Sequence, residues 1–231
     1  MGRMTETLLQ IAAIIIPLII AIVFHEVAHG WVALMLGDPT AREQRRLTFN
    51  PLRHVDPFGT LILPGFLWLT THTAFGWAKP VPVSKGRLRD PRRGMMAVAA
   101  AGPAMNIVLA AAGAVLLGLL VRYAGDGTGA FLQFLADNLG NFIMINVFLA
   151  FFNLLPLPPF DGSHIVEGLL PRAAARSYAR LRPYGFVLFF LVLLILPRLF
   201  PGWGIIERVV IPPVAWLGNY FIELARLVAG G

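Results

Sequence analysis

Three ionisable residues stand within five positions of an otherwise apolar run: His25-Glu26-Val27-Ala28-His29. On a helix, positions i and i+4 share a face, so two imidazoles at this spacing can reach one metal ion. Glu26 points to the neighbouring flank, where it can hold a water beside the metal rather than the metal itself. Two neutral imidazoles with a carboxylate suit zinc, leaving a fourth position for water. The chain has no cysteine. That excludes disulfides, iron–sulfur clusters and thiolate zinc sites, and leaves His, Asp and Glu as ligands. An ionisable residue deep in a membrane helix costs about 2.5–3.5 kcal/mol on insertion scales, so three together ask for a function. The competing readings are a buried polar cluster and the proton relay of a transporter.

A two-histidine site needs a third ligand. Downstream the chain reads Asn153-Leu154-Leu155-Pro156-Leu157-Pro158-Pro159-Phe160-Asp161-Gly162. Three prolines forbid regular helix and favour a rigid extended path that could carry Asp161 back toward the metal, with Gly162 allowing the backbone conformation. Taken alone, the stretch is an ordinary proline-rich loop; beside His25 and His29 it makes Asp161 the leading ligand candidate. A further apolar run holds Gly102-Pro103-Ala104-Met105-Asn106. Small residues there permit close helix approach, Pro103 frees a backbone carbonyl, and Asn106 puts a two-way hydrogen-bonding amide in the membrane. Asn106 reads equally as interhelical glue or as a catalytic group. Asn146 and Asn153, seven apart, read as interhelical hydrogen-bonders, and His54, His72 and His164 as loop or interfacial residues.

The elements that must position these groups follow from composition. Of 231 residues, 57% are hydrophobic and 13% charged, with a mean hydropathy of +0.72. A soluble domain is roughly a quarter charged, and a disordered chain is less apolar still, so both classes are excluded. The net charge of +7 belongs to the loops of a multi-span protein rather than to nucleic-acid binding. The run Leu8–Leu36 is too long for a cleavable signal and reads as a retained span. Helices are expected at 8–36, 95–121, 131–155, 184–197 and 205–227, giving an all-α polytopic membrane protein of five to six segments. One domain covers 1–231, with a catalytic core over about 8–165 and two accessory helices within 184–227.

Lys and Arg counts bear on the run Pro57–Trp77. If it dips in and returns, fifteen basic residues share one side and Arg3, Arg122, Arg198 and Arg208 the other; if it crosses, the asymmetry weakens. The positive-inside rule favours the first, with the N-terminus outside and the C-terminus cytoplasmic. Pro57–Val83 therefore reads as a re-entrant, partly extended segment packed within protein. His25 lies eleven residues before Leu36, about 16 Å from the cytoplasmic end.

Together these stretches resemble the site-2 proteases, intramembrane zinc metalloproteases. The resemblance rests on His25–His29, Gly102–Asn106 and Asn153–Gly162, with Phe49–Gly59 and Gly76–Val83 similar to the family's compact branch; it covers about Ile22 to Gly162. It implies one zinc held by His25, His29 and Asp161, with Glu26 as catalytic base. Gly102, Pro103, Asn106 and Asn153 would support an oxyanion or the substrate. It also implies a β-like re-entrant element after the first helix, and a site in a prokaryotic cell membrane nearer the cytoplasm. The turn Arg122–Ala130 is too short for the PDZ domain that many members insert. Expected partners are transmembrane substrates and the bilayer, with no nucleic acid. An unwound substrate would pair by strand addition with Leu61–Val83. The rival functions are a metal-ion or proton transporter using the same His/Glu cluster, and an inactive adaptor keeping the fold.

Overall fold

A computed structural model of the chain describes residues 2–71, 76–124, 129–200 and 204–230. His72 lies outside them, as do residues 125–128 of the glycine-rich turn. The helices are α1 (Gly2–Met35), α2 (Thr40–Glu43), α3 (Leu63–Thr71), α4 (Pro91–Ala124), α5 (Ala130–Asn153), α6 (Asp161–Leu169), α7 (Arg172–Ala179), α8 (Gly185–Phe190), α9 (Leu196–Leu199) and α10 (Ile211–Ala229). Three stretches are long and apolar enough to cross a membrane: Met4–Met35, Pro91–Ala124 and Ala130–Asn153.

The regions expected as the fourth and fifth spans are helical but carry π-type stretches, and neither is among the three stretches that are long and apolar enough. The region 184–197 is built from α8, a π-type turn at Leu191–Ile195 and the short α9, and a second π-type turn at Ile206–Val210 leads into α10. Prolines explain part of this: Pro183, Pro197, Pro212 and Pro213 each lack the N–H that a continuous helix needs. The β-like element expected over Pro57–Val83 is also absent from the described residues. Pro57–Ile62 forms a π-type turn that continues into α3, and residues 76–84 carry no regular structure. Asp56 starts this helix, its carboxylate accepting from the amides of Phe58 (3.0 Å) and Gly59 (2.7 Å). That cap makes helix the better outcome for the apolar residues behind it.

α4 is the hub, packed against α1, α5, α6 and α10. Its small residues let neighbours approach closely, as the alanine- and glycine-rich composition predicts. A Cβ at Gly118 would overlap the Ala225 carbonyl of α10, and one at Gly113 would lie 2.9 Å from Phe142 of α5. Ala110 and Ala114 join Ile143, Val147, Val214 and Phe221 in the main apolar core.

α1 ends in a Schellman turn. Gly37, at φ +105°, donates to the Leu34 carbonyl, and Asp38 N–H donates to that of Ala33. The chain then folds back along α1: a Cβ at Gly30 would overlap Leu47, and the Phe49 ring lies 4.6 Å from that of Phe24. α1 is about 51 Å long against a hydrocarbon thickness of about 30 Å, and an arginine-bearing loop lies beside its last third. The 16 Å from His25 to the helix end is therefore an upper bound on its depth.

Fully buried Asp38 ties this loop to the next. Its Oδ1 accepts from the amide (3.0 Å) and hydroxyl (2.5 Å) of Thr40, and its Oδ2 from the amide of Ser84 (2.5 Å). Burial opposes ionisation, but these donors outweigh it and hold the carboxyl below the ordinary carboxylate range. A depressed folded-state value means that the stabilisation is complete above the unfolded value, near about 3.9, and disappears as pH falls through the folded one. Asp38→Ala is expected to lower the thermal unfolding temperature of the detergent-solubilised protein at pH 7. The gap from wild type should close on acidification below about pH 4; a gap constant with pH would show that the charge is not what the carboxylate contributes.

Candidate metal centre

Three elements bring the site together. α1 carries His25 and His29 on one face, the start of α6 carries Asp161, and α4 passes behind both imidazoles. His25 Nε2 lies 3.0 Å from His29 Nε2, and Asp161 Oδ2 lies 3.1 Å from the first and 3.2 Å from the second. Both histidines are buried and Asp161 is half-buried. The sequence expectation that these three residues converge is met.

The donor set fits a metal ion. His29 Nδ1 lies 2.7 Å from the Val98 carbonyl. A carbonyl only accepts, so the proton of the neutral ring sits on Nδ1 and Nε2 presents a lone pair. Asp161 Oδ2 is buried with no hydrogen-bond partner of acceptable geometry, although both Nε2 atoms are near. An orphaned buried carboxylate oxygen facing imidazole lone pairs is costly unless a cation sits between them. The near-equal separations of 3.0–3.2 Å are close to the roughly 3.3 Å ligand–ligand edge of a tetrahedral site with bonds of about 2.0–2.1 Å. The three atoms form the single group of His, Asp and Glu donors within metal-binding reach among the described residues.

Asp161 reaches this place by turns rather than by an extended path. Leu157 N–H donates to Leu155 O, and Phe160 N–H to Leu157 O, across a segment with a cis Pro158–Pro159 bond. Asp161 is then the first residue of α6. Gly162 is needed for space and not for a left-handed conformation: its φ is not positive, and a Cβ there would overlap the Leu154 and Leu155 carbonyls. The far end of α6 is clamped. Arg92 donates to the carbonyls of Gly168 (3.0 Å) and Leu170, while Glu167 pairs with Lys85 (3.0 Å) and Arg182.

Gly102 has a sharper role than helix approach alone. A Cβ there would lie 2.5 Å from His25 Cε1 and His29 Nε2 and 2.6 Å from His25 Nε2. The α4 backbone thus lies directly against the metal-facing nitrogens, and one methyl group would invade their space. Gly102→Ala is expected to cut retained metal more than about tenfold, although Ala is the better helix former by about 1 kcal/mol. Metal content per purified chain measures this; full loading would refute the steric argument. Pro103 leaves the Ala99 carbonyl without its usual helical donor, yet the carbonyl that His29 uses is that of Val98, one residue earlier.

Glu26 is half-buried, and its Oε2 accepts from the Val81 amide at 2.7 Å. This partner, fifty-five residues away, has no sequence signal, because a backbone N–H is present at every non-proline position. Several backbone groups of the segment around Val81 are already engaged within the chain. Trp77 N–H donates to Gly59 O, Lys79 N–H to His54 O, and buried Arg46 donates to the carbonyls of Lys79 and Pro80. Strand addition through those groups would first have to break these bonds, which counts against the expected pairing there.

Asn106, fully buried, does not face the open side of the cluster. Its Oδ1 lies 2.6 Å from His25 Nδ1, and its amide donates to Ala21 O (3.3 Å) and Asn146 Oδ1 (2.8 Å). Both N–H groups are engaged, so none remains for an oxyanion. Asn146 is interhelical as expected, but Asn153 donates to Leu149 of its own helix. Buried His54 bonds the Thr48 carbonyl, and His164 lies on α6 beside Arg182.

Residues 13–140 and 127–196 match the profile of peptidase family M50. YwhC of Bacillus subtilis is 40% identical over 184 residues, covering 80% of each chain. Rip2 of Mycolicibacterium smegmatis is 30% identical over 194 residues, covering 78% of this chain and 66% of its own. Rip2 of Mycobacterium tuberculosis is 30% identical over 221 residues, covering 92% and 75%. All three carry the name "putative zinc metalloprotease". No solved structure matches. With the profile spanning most of the chain and the converging donors lying inside it, the chain belongs to peptidase family M50, the site-2 protease family, and is a metalloprotease.

Proposed function

We propose that this chain is an intramembrane zinc endopeptidase that hydrolyses peptide bonds in or near the transmembrane segments of other membrane proteins. The observation carrying the reading is the convergence of His25 Nε2, His29 Nε2 and Asp161 Oδ2 within 3.2 Å, with both histidines on one of the three helices apolar enough to span a bilayer. His25, His29 and Asp161 would hold one zinc ion. When bound, zinc supplies Lewis acidity to the scissile carbonyl and acidifies a bound water. Glu26 takes the proton from the attacking water and delivers it to the leaving amine. The Val81 amide fixes one Glu26 oxygen, and the other, without a protein partner among the described residues, is left to accept the proton. Gly102 keeps side-chain bulk away from the cluster, and the Arg92 and Glu167 contacts hold α6 so that Asp161 stays in place. The membrane is a prokaryotic cell membrane, with the site nearer the cytoplasmic face.

The test is cleavage of single-span proteins co-reconstituted with the purified enzyme in liposomes, with and without a zinc chelator. Chelator-sensitive cuts mapping within or beside the spans are expected. Cleavage confined to soluble unfolded polypeptide would overturn the substrate class. Chelator-sensitive ion flux without cleavage would favour the transporter, which membership in a peptidase family argues against.

A further inference from the structure

Resting on the reading of His25 as a zinc ligand, we propose that Asn146 and Asn106 form a two-amide relay that fixes the tautomer of His25. Asn106 is then a positioning residue rather than an oxyanion donor. The relay begins at the Phe142 carbonyl on α5 and ends at the metal-facing nitrogen on α1.

Each link transmits one polarity. The Phe142 oxygen can only accept, so the Asn146 atom 2.8 Å from it is the amide nitrogen. That orientation turns Asn146 Oδ1 toward Asn106. The Asn106 atom facing it at 2.8 Å must then be the amide nitrogen, which also donates to the Ala21 carbonyl at 3.3 Å. Asn106 Oδ1 is left pointing at His25 Nδ1, 2.6 Å away. An acceptor at that distance requires the proton on Nδ1, and a neutral imidazole protonated there has its lone pair on Nε2. Nε2 is the atom 3.1 Å from Asp161 Oδ2.

Burial makes the relay stiff. Asn106 and Asn146 are both 0% exposed and His25 is 7% exposed, so bulk water does not reach the relay. Rotating the Asn106 amide by half a turn would set its oxygen against those of Asn146 and Ala21, and would place NH2 before His25 Nδ1. That rotation would leave buried acceptors facing one another with no donor between them, which is unfavourable. His29 reaches the same tautomer in one step through Val98 O. His25 has an asparagine instead of a carbonyl, and an asparagine can present either polarity; Asn146 removes that ambiguity.

The experiment has two readouts. In the metal-free protein in liposomes, ring-15N-labelled histidine reports the tautomer of His25 by solid-state NMR, whether or not the chain is a zinc protease. Every His25 ring is expected to carry a proton on Nδ1 in wild type, and only a fraction of them in Asn146→Leu. Chelator competition then gives zinc affinity. Outer partners of ligating histidines are worth about 10–100-fold in affinity, so Asn106→Leu should fall in that range and Asn146→Leu toward its lower end. The double variant should bind no worse than Asn106→Leu alone. Asn146→Asp should bind within about threefold of wild type, because a neutral carboxylic acid accepts from Asn106 and donates to Phe142 O as the amide does. This isosteric variant also answers if a leucine variant does not fold. An unchanged His25 tautomer and zinc affinity in Asn146→Leu would overturn the relay, as would additive losses in the double variant or loss of zinc in Asn146→Asp. Failure of wild type to bind zinc, with the tautomer intact, would overturn the zinc reading and leave the relay standing.

Discussion

Replacing His25, His29 or Asp161 with alanine is expected to strip zinc from the purified protein and abolish proteolysis. Each residue supplies one of three atoms that lie 3.0–3.2 Å apart. Losing an outer partner of a ligand already costs about 10–100-fold in metal affinity, so losing a ligand outright should cost at least about 1,000-fold. Asp161→Ala gives the clearest result of the three. It leaves both imidazoles on α1, the Val98 contact of His29 and the Asn106 contact of His25 intact. The fold should persist, because the turn before α6 and the clamps behind it do not use the Asp161 side chain. Zinc per chain and cleavage of a single-span substrate measure the effect. A fully loaded, active Asp161→Ala protein would show that the third ligand lies elsewhere.

Glu26→Gln should separate metal from turnover. The change is isosteric, and a glutamine oxygen can still accept from the Val81 amide that now reaches Glu26 at 2.7 Å. Zinc content should stay within about twofold of wild type, since Glu26 is not among the three clustered donors. What disappears is proton acceptance from water, because an amide is not a base at neutral pH. General-base contributions are typically about 10²–10⁴-fold, and kcat should fall by at least that range. Substrate binding should change little. Retained turnover with zinc in place would remove Glu26 from the chemistry; zinc lost together with turnover would make its role structural.

Why some of this was legible in the sequence and some was not follows from the range of each interaction. The His25–His29 pair was legible because the i,i+4 repeat of a helix sets it locally. The membrane setting was legible because composition averages over the whole chain. Asp161 was legible as a candidate, but its route was misjudged: prolines exclude regular helix without choosing between extended chain and turns, and the choice here depends on Gly162 fitting under the Leu154 carbonyl. Among the described residues the segment after Asp56 shows no β-like element, because its apolar residues suit either helix or strand. A local cap and packing in three dimensions decided it.

The amino-acid order by itself determined a membrane chain without thiolate chemistry, two imidazoles on one helix face with a carboxylate beside them, and small residues where α4 must come close. These are consequences of residue type and of spacings within about two helical turns. Only the tertiary structure decided that Asp161 closes the triangle, that Gly102 lies against the histidine nitrogens, that Val81 orients Glu26, and that Asn106 turns its oxygen to His25. Each of those joins residues dozens of positions apart, often through a backbone amide or carbonyl that every sequence contains. Such groups acquire a role only from where the fold places them.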